Sequence, residues 1–340
     1  MAKRKPAAAK ESARGQEAAP QVPPGLRLVC TLRGHTSRIG RIAWSPDGLV
    51  LASPSADKSI RLWNAETGRC LRTLTGHTDI VFAVAFDRTN HILASASADR
   101  TLKLWDVTSG QLLRTLDGHT SGVTCVAFDL TSLTLASAGD YATVKLWEAA
   151  SGQVLRSLDG HVGEVHSVAF DPKGGTLASA SADSLVRLWE PASGELLHLL
   201  NGHSNDVFGV VFDPTGGTLA SAGADNTVRL WDAVSGEFRR LLEGHTWFVN
   251  SVSFSADGQL LASKSGGRDS TIRLWHSDTG ASVATISEPA SDYWGPGLSF
   301  HPVRPLLATV GSDLGASSSK RRSRLTPRVL AATPLSASSP

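Results

Sequence analysis

GHSNDVFGVVFDPTGGTLASAGADNTVRLWDAVSGEFRRLLE, residues 202–243, is one turn of a pattern that runs through most of the chain. It contains four short runs, DVFGVVF, TLASAG, TVRLW and EFRRLL, separated by DPTGG, ADN and DAVSG. Runs rich in Val, Leu, Phe and Thr between clusters of Asp, Pro, Gly, Asn and Ser read as strands joined by turns. No segment keeps an apolar period of 3.6 residues, so no helix is predicted.

Working outward, Gly-His recurs at 34–35, 76–77, 118–119, 160–161, 202–203 and 244–245, always 42 residues apart. Tryptophan follows at Trp63, Trp105, Trp147, Trp189, Trp231 and Trp275, and the phrase LAS sits between them in each unit. A fixed period of this length marks a repeat architecture. Four strands make one antiparallel blade, and one blade cannot bury both of its faces. Radial stacking of blades buries them and leaves only short edges. The expected fold is all-β, a β-propeller of four-stranded antiparallel blades.

Gly-His, a turn Asp and Leu-Trp at this spacing resemble WD repeats of the G-protein β type. The resemblance is strong over residues 34–275 and weak to about 311. It implies a seven-bladed β-propeller, its last blade degenerate and closed by the N-terminal strand, that serves as a circular platform for binding other proteins, with His, Ser, Asp and Trp of each blade as a buried scaffold. The scaffold residues are then His35, Ser53, Asp57 and Trp63, followed by His77, Ser95, Asp99 and Trp105. Blade three supplies His119, Ser137 and Trp147, and blade four His161, Ser179, Asp183 and Trp189. The last two sets are His203, Ser221, Asp225 and Trp231, and His245, Ser263, Asp269 and Trp275.

Three departures stand out. In AGDYATVKLW, Tyr141 takes the place of the turn Asp, and Asp140 lies one residue early, so this blade lacks a full network. KSGGRD adds two residues to the sixth repeat, so that its turn bulges. The seventh unit, near 287–325, has no Gly-His and no Leu-Trp. LRLVCTL, residues 26–32, matches the fourth strands of the other repeats, and by the resemblance it should complete this unit as its outer strand, with a third strand from 320–331 interrupted by Pro327. The domain reading is a basic tail over 1–25, a propeller over 26–311 with repeats near 34–75, 76–117, 118–159, 160–201, 202–243 and 244–286, and a low-complexity Ser/Pro-rich tail over 312–340.

The net charge of +2 hides an asymmetry: +3 over residues 1–25, +4 over 312–340 and −5 between them. The tails KRKPAAAK and KRRSR offer a rival role in binding nucleic acid or in nuclear targeting, though such runs are commonly no more than solvated tails. A second rival is a sensor propeller detached from a larger signalling protein. No run is apolar enough to span a membrane, the N-terminus lacks the apolar core of a signal peptide, and three isolated cysteines form no disulfide or zinc pattern. A cytoplasmic setting is expected, or a nuclear one.

Ser, His and Asp recurring together suggest a hydrolase. Near-equivalent sets in six blades speak instead for scaffold, and no G-x-S-x-G, HExxH or P-loop is present. No enzyme, cofactor or metal is therefore predicted. His91, His166, His198, His276 and His301 have no ligand spacing and read as surface residues. The basic residue before each Leu-Trp (Arg61, Lys103, Lys145, Arg187, Arg229, Arg273) reads as a solvated strand face.

The residues after each Gly-His vary, and by the resemblance they open on the narrow top face. Around the ring they are Arg38 and Arg41, Ile80 and Phe82, Gly122 and Thr124, Glu164 and His166, and Asp206 and Phe208. Trp247, Phe248 and Asn250 follow, then Tyr293 and Trp294. Aromatics and arginine dominate binding hot spots. Arg38, Phe82, Phe208, Trp247, Phe248, Tyr293 and Trp294 are accordingly the candidate partner-binding residues, the partners being other proteins or peptides.

Overall fold

A computed structural model describes residues 26–288, 297–312 and 325–332. It contains seven four-stranded antiparallel sheets and, among the described residues, no helix. Blade 1 runs from Ala43–Trp44 to Cys70–Thr75, blade 2 from Val81–Phe86 to Leu112–Leu116, and blade 3 from Val123–Phe128 to Val154–Leu158. Blade 4 runs from Val165–Phe170 to Leu196–Asn201, blade 5 from Val207–Phe212 to Phe238–Leu242, and blade 6 from Val249–Phe254 to Ser282–Ser287. Innermost strands of successive blades adjoin, and blade 7 meets blade 1, which closes the ring.

Burial follows radius. Second strands such as Thr218–Gly223 are buried on both faces, so TLASAG needs small residues among its aliphatics. Outermost strands such as Phe238–Leu242 are exposed except for the last leucine. The core is a set of inter-blade clusters. Val186, Leu188 and Leu200 of blade 4 pack against Phe212, Leu219 and Trp231 of blade 5, and the same arrangement repeats around the ring.

Blade 7 consists of Leu298–Phe300, Leu306–Ser312, Leu325–Ala332 and, outermost, Leu26–Thr31. The N-terminal strand therefore closes the ring, as expected. The third strand lies within the stretch 312–340 that reads as a tail, because its apolar residues are split by Pro327. That proline stands opposite Val310, and its carbonyl accepts from Leu32 N at 2.9 Å. Only its own missing N–H is lost from the ladder, and the strand survives.

The basic residue before each Leu-Trp is not on a solvated face. Lys103 and Arg187 are buried and the other four are half-buried. Arg61 and Arg273 sit 5.9 and 5.8 Å from the rings of Trp63 and Trp275, Arg229 sits 5.7 Å from the ring of Phe238, Arg187 pairs with Asp183 at 2.7 Å, and Lys103 and Lys145 bond the hydroxyls of Thr115 and Ser157. His301 is also not a surface residue. It is buried against Trp44 with centroids 4.8 Å apart, accepts at Nδ1 from Val303 N and Arg304 N, and places Nε2 3.0 Å from Gly48 O, tying blade 7 to blade 1.

Candidate protein-interaction face

The repeated polar residues form one hydrogen-bond series per blade. In blade 1, Trp63 Nε1 donates to Ser53 Oγ at 2.8 Å, Ser53 Oγ lies 2.8 Å from His35 Nε2, and His35 Nδ1 lies 2.9 Å from Asp57 Oδ2. A proton on Nδ1 satisfies every member in sequence. Asp57 also accepts from the Thr36 amide, which pins the loop between blades to the turn beyond the second strand. Burial would raise the Asp57 carboxyl, but hydrogen bonds from His35, Ser59 and Thr36 together outweigh it and hold the group well below its usual range. Asp99, in the same place in blade 2, is held down to about 2: burial opposes this, and bonds from Thr101, Thr78 and His77 prevail.

The series recurs in blades 4, 5 and 6. In blade 3, His119 reaches Ser137 at 2.7 Å and Trp147 donates to Ser137, but among the described residues no carboxylate bonds Nδ1. Tyr141 is 65% exposed, so the position expected to lack its acid does lack it. Desolvation, and Lys145 after it, push His119 down to about 4.

Blade 7 has a different arrangement, which sequence reading missed. Thr309 stands at the serine position and donates to Glu288 Oε1 at 3.0 Å. Lys264, from the second strand of blade 6, is buried and reaches Glu288 Oε2 at 2.6 Å, Thr309 Oγ1 at 2.8 Å and the Val310 carbonyl. Blades 1 to 5 have Pro or Ala at the Lys264 position and blade 7 has Val310, and that lone lysine in a LAS strand was the available signal.

The top face is shaped by bulges. In blades 2 to 6 the innermost strand carries one extra residue just after its first Val: Phe82, Thr124, His166, Phe208 and Asn250. An unpaired bulge residue is free to be re-aimed. His166 and Phe208 approach to 5.0 Å, Phe208 and Phe248 to 6.3 Å, and Phe248 stacks on Trp247 at 4.9 Å. Trp247 in turn lies under Arg268, 5.5 Å away, and beside Gly267, where a Cβ would come within 2.6 Å of its Nε1. The two-residue insertion in KSGGRD thus builds the seat of Trp247.

Glu164 and Asp206 border this run at 3.4 and 3.8 Å from the His166 ring nitrogens. Asn250 is buried with Oδ1 unpartnered. The sequence placed Phe208, Trp247 and Phe248 together, and the structure joins them. Phe82 and the exposed Arg38 lie on blades 2 and 1 of the ring, apart from that run. Tyr293 and Trp294 fall outside the described residues.

Below the bulges the innermost strands carry Ala83, Cys125, Ser167, Gly209, Ser251 and Gly297 at equivalent positions, and blade 1 carries Arg41. Small residues on the other blades leave room for it. Arg41 donates to Ser167 Oγ at 2.8 Å and to the Phe208 carbonyl, so it crosses the channel to blades 4 and 5. Among the described residues, no group of three His, Cys, Asp or Glu could hold a metal ion, and no helix is long and apolar enough to cross a membrane.

The WD40 family (WD domain, G-beta repeat) matches residues 26–64, 68–106, 110–148, 152–190, 194–232 and 236–276, and this chain belongs to it. Each matched repeat begins with the outermost strand of one blade and continues with three strands of the next, so repeats lace neighbouring blades together. Similar proteins include a probable cytosolic iron-sulfur protein assembly protein CIAO1 homolog from Ixodes scapularis, 54% identical over 37 residues, 11% of this chain and 12% of that protein. Protein HIRA of Zea mays is 43% identical over 44 residues, 13% of this chain and 5% of its own length. Protein Mut11 of Chlamydomonas reinhardtii is 47% identical over 47 residues, 13% of each chain. Each match is about one repeat long, so the chain spans only a small part of these relatives.

Proposed function

We propose that this propeller is a non-catalytic scaffold that holds a protein or peptide on its top face, chiefly at blades 4 to 6. The carrying observation is the continuous run His166–Phe208–Phe248–Trp247, half-buried and bordered by Glu164 and Asp206. Aromatic anchors ringed by charge suit a partner segment with apolar and basic side chains. Arg41 bars the channel beneath, so the partner rests on the mouth rather than threading the ring. The name of one relative places that protein in the cytosol, and we assign the same compartment here.

The test is capture of partners from a cell lysate by the whole chain and by a Phe208→Ala, Trp247→Ala variant of matched melting temperature. The reading requires partners held by the first and lost by the second. Equal recovery would move the binding surface elsewhere.

A further inference from the structure

In blades 1 to 6 the turn from the third strand to the fourth leans on the preceding blade. Its glycine, five residues after the tryptophan, lies so close to the preceding fourth strand that a Cβ would meet it. At Gly280 that atom would come within 2.5 Å of Arg240 Cδ and 2.9 Å of Leu242 Cδ2 of blade 5. Gly152 stands likewise over Arg114 and Leu116, and Gly194 over Arg156 and Leu158. The basic residue also bonds the turn: Arg72, Arg114, Arg156 and His198 donate to the carbonyls of Thr108, Ala150, Ala192 and Val234.

Blade 7 departs from this scheme on both sides of its crevice. Its fourth strand, Leu26–Thr31, comes from the other end of the chain, so no turn joins it to Leu325–Ala332. On the facing side, blade 6 offers Ala284, paired with Leu274 as Arg240 is with Leu230, in place of the basic residue. Between blades 5 and 6 the crevice is walled by the turn residues Ser277 and Asp278 and by Arg239 and Arg240. Between blades 6 and 7, among the described residues, nothing beyond the third strand lines it. There it measures about 250 Å³ and reaches the core at Ile286, Phe300, Leu307 and Leu330.

The chain continues from the edge of this crevice. Residues 333–340, TPLSASSP, lie outside the described residues and begin three positions after Leu330. Leu307 pairs with Leu330 as Leu261 pairs with Trp275, so the place of the turn glycine falls to Leu335. A large residue thus replaces glycine where a small one, Ala284, replaces arginine. The six turns require glycine because the backbone is left-handed there, as at Gly280 with φ 71° and Gly194 with φ 82°. Blade 7 has no turn to make at that point, and the requirement lapses.

We infer that residues 333–340 fold back over the crevice between blades 6 and 7 and seat Leu335 in it, supplying the cover that a turn supplies elsewhere. Leu335 beside Ala284 and against Ile286 removes apolar surface from water on both sides of the contact. No side chain of the segment is charged, which suits apolar walls. The crevice opens beside the turns between first and second strands, at Asp257 and Val303, away from the aromatic run, so the inference is independent of the scaffold role.

A disulfide trap in the full chain tests this. Ala284→Cys with Leu335→Cys should give, in oxidised glutathione, an intrachain bond between positions 284 and 335, located by mass spectrometry of a digest. Val283→Cys with Leu335→Cys, which uses the exposed bulge residue of the same strand, should give roughly a tenth of that yield, because disulfide geometry is specific. Leu335→Ala should lower the melting temperature by several degrees. In an Ala284→Arg chain, which fills the seat from blade 6, the same change should have no effect. Equal yields from the two cysteine pairs, or a melting temperature unmoved by Leu335→Ala, would overturn the proposal. A bond between two chains would overturn it as well and assign the crevice to the segment of a second copy.

Discussion

Arg41 on blade 1 and Ser167 on blade 4 are 126 residues apart in sequence and hydrogen-bonded at 2.8 Å across the central channel. A charge-assisted bond of this kind contributes more than a neutral one, and its loss strands the acceptors on the far side. Arg41→Ala should lower stability by about 1–3 kcal/mol in urea denaturation. A midpoint unchanged from wild type would show that the bridge adds nothing to the closed ring.

Ser95 serves two partners at once, Trp105 Nε1 at 2.8 Å and His77 Nε2 at 2.7 Å. Ser95→Ala leaves both buried nitrogens unmatched and should cost about 2–4 kcal/mol, near twice the penalty of a single orphaned group. Circular-dichroism melting against the wild type reads this directly. A loss below about 1 kcal/mol would mean that a water or a backbone group takes over.

Blade 3 can be repaired. Tyr141 is 22 residues after His119, the separation between His35 and Asp57. The residue after the turn acid has a left-handed backbone elsewhere, as at Arg100 with φ 72° and Asn226 with φ 67°. The double change Tyr141→Asp, Ala142→Asn should therefore supply the missing acceptor in a turn that tolerates it. A rise in the melting midpoint is expected, and no rise would count against the network as a source of stability.

Stability should fall in mild acid, with His119 contributing. Its folded value is about 4, against 6.5 unperturbed. Between those values the unfolded chain binds a proton that the folded chain refuses, so stability is full above about 6.5 and is lost as pH drops toward 4. His77, His161 and His245, lowered first by burial, act in the same direction. Asp99 acts later: held near 2, it supports the fold above about 4 and loses that effect as pH falls through 2. Urea midpoints from pH 8 to 4 should decline less steeply in a His119→Gln variant.

Lys264 is buried and Glu288 half-buried at their 2.6 Å contact, with the Glu288 side chain only 9% exposed. Lys264→Ala leaves the Glu288 carboxylate with the Thr309 hydroxyl but without its counter-charge and should cost about 3–5 kcal/mol, whereas a paired Lys264→Met, Glu288→Gln change should cost much less. Hydrogen exchange in Leu298–Phe300 and Leu306–Ser312 would locate the loss in blade 7.

The ring was legible because it repeats: a 42-residue period marks six of the seven blades, and LAS and Leu-Trp mark their second and third strands. Most of what escaped reading occurs once. Pro327 and a basic run disguised the last third strand, since a ladder tolerates one missing donor that a propensity rule does not. The basic stripe was misjudged because alternation alone cannot tell a side chain engaged by a ring, an acid or a hydroxyl from one standing in water. Arg41 was read as a top-face residue, and only the assembled ring shows that the facing positions are small. The aromatic run at Phe208 and Trp247 was readable, but the glycine seat built by the insertion was not.

Ring closure by Leu26–Thr31 also sets a timetable for synthesis. This strand leaves the ribosome first among those described, yet its partner, Leu325–Ala332, emerges nearly 300 residues later. At about 5–20 residues per second the wait is on the order of 15–60 s. Throughout it an unpaired strand coexists with six third strands of closely related sequence, each already engaged by its own fourth strand. Fidelity of the ring then depends on blades 1 to 6 completing their sheets before the early strand can compete, which makes rapid local hairpin formation in each repeat a requirement of the architecture.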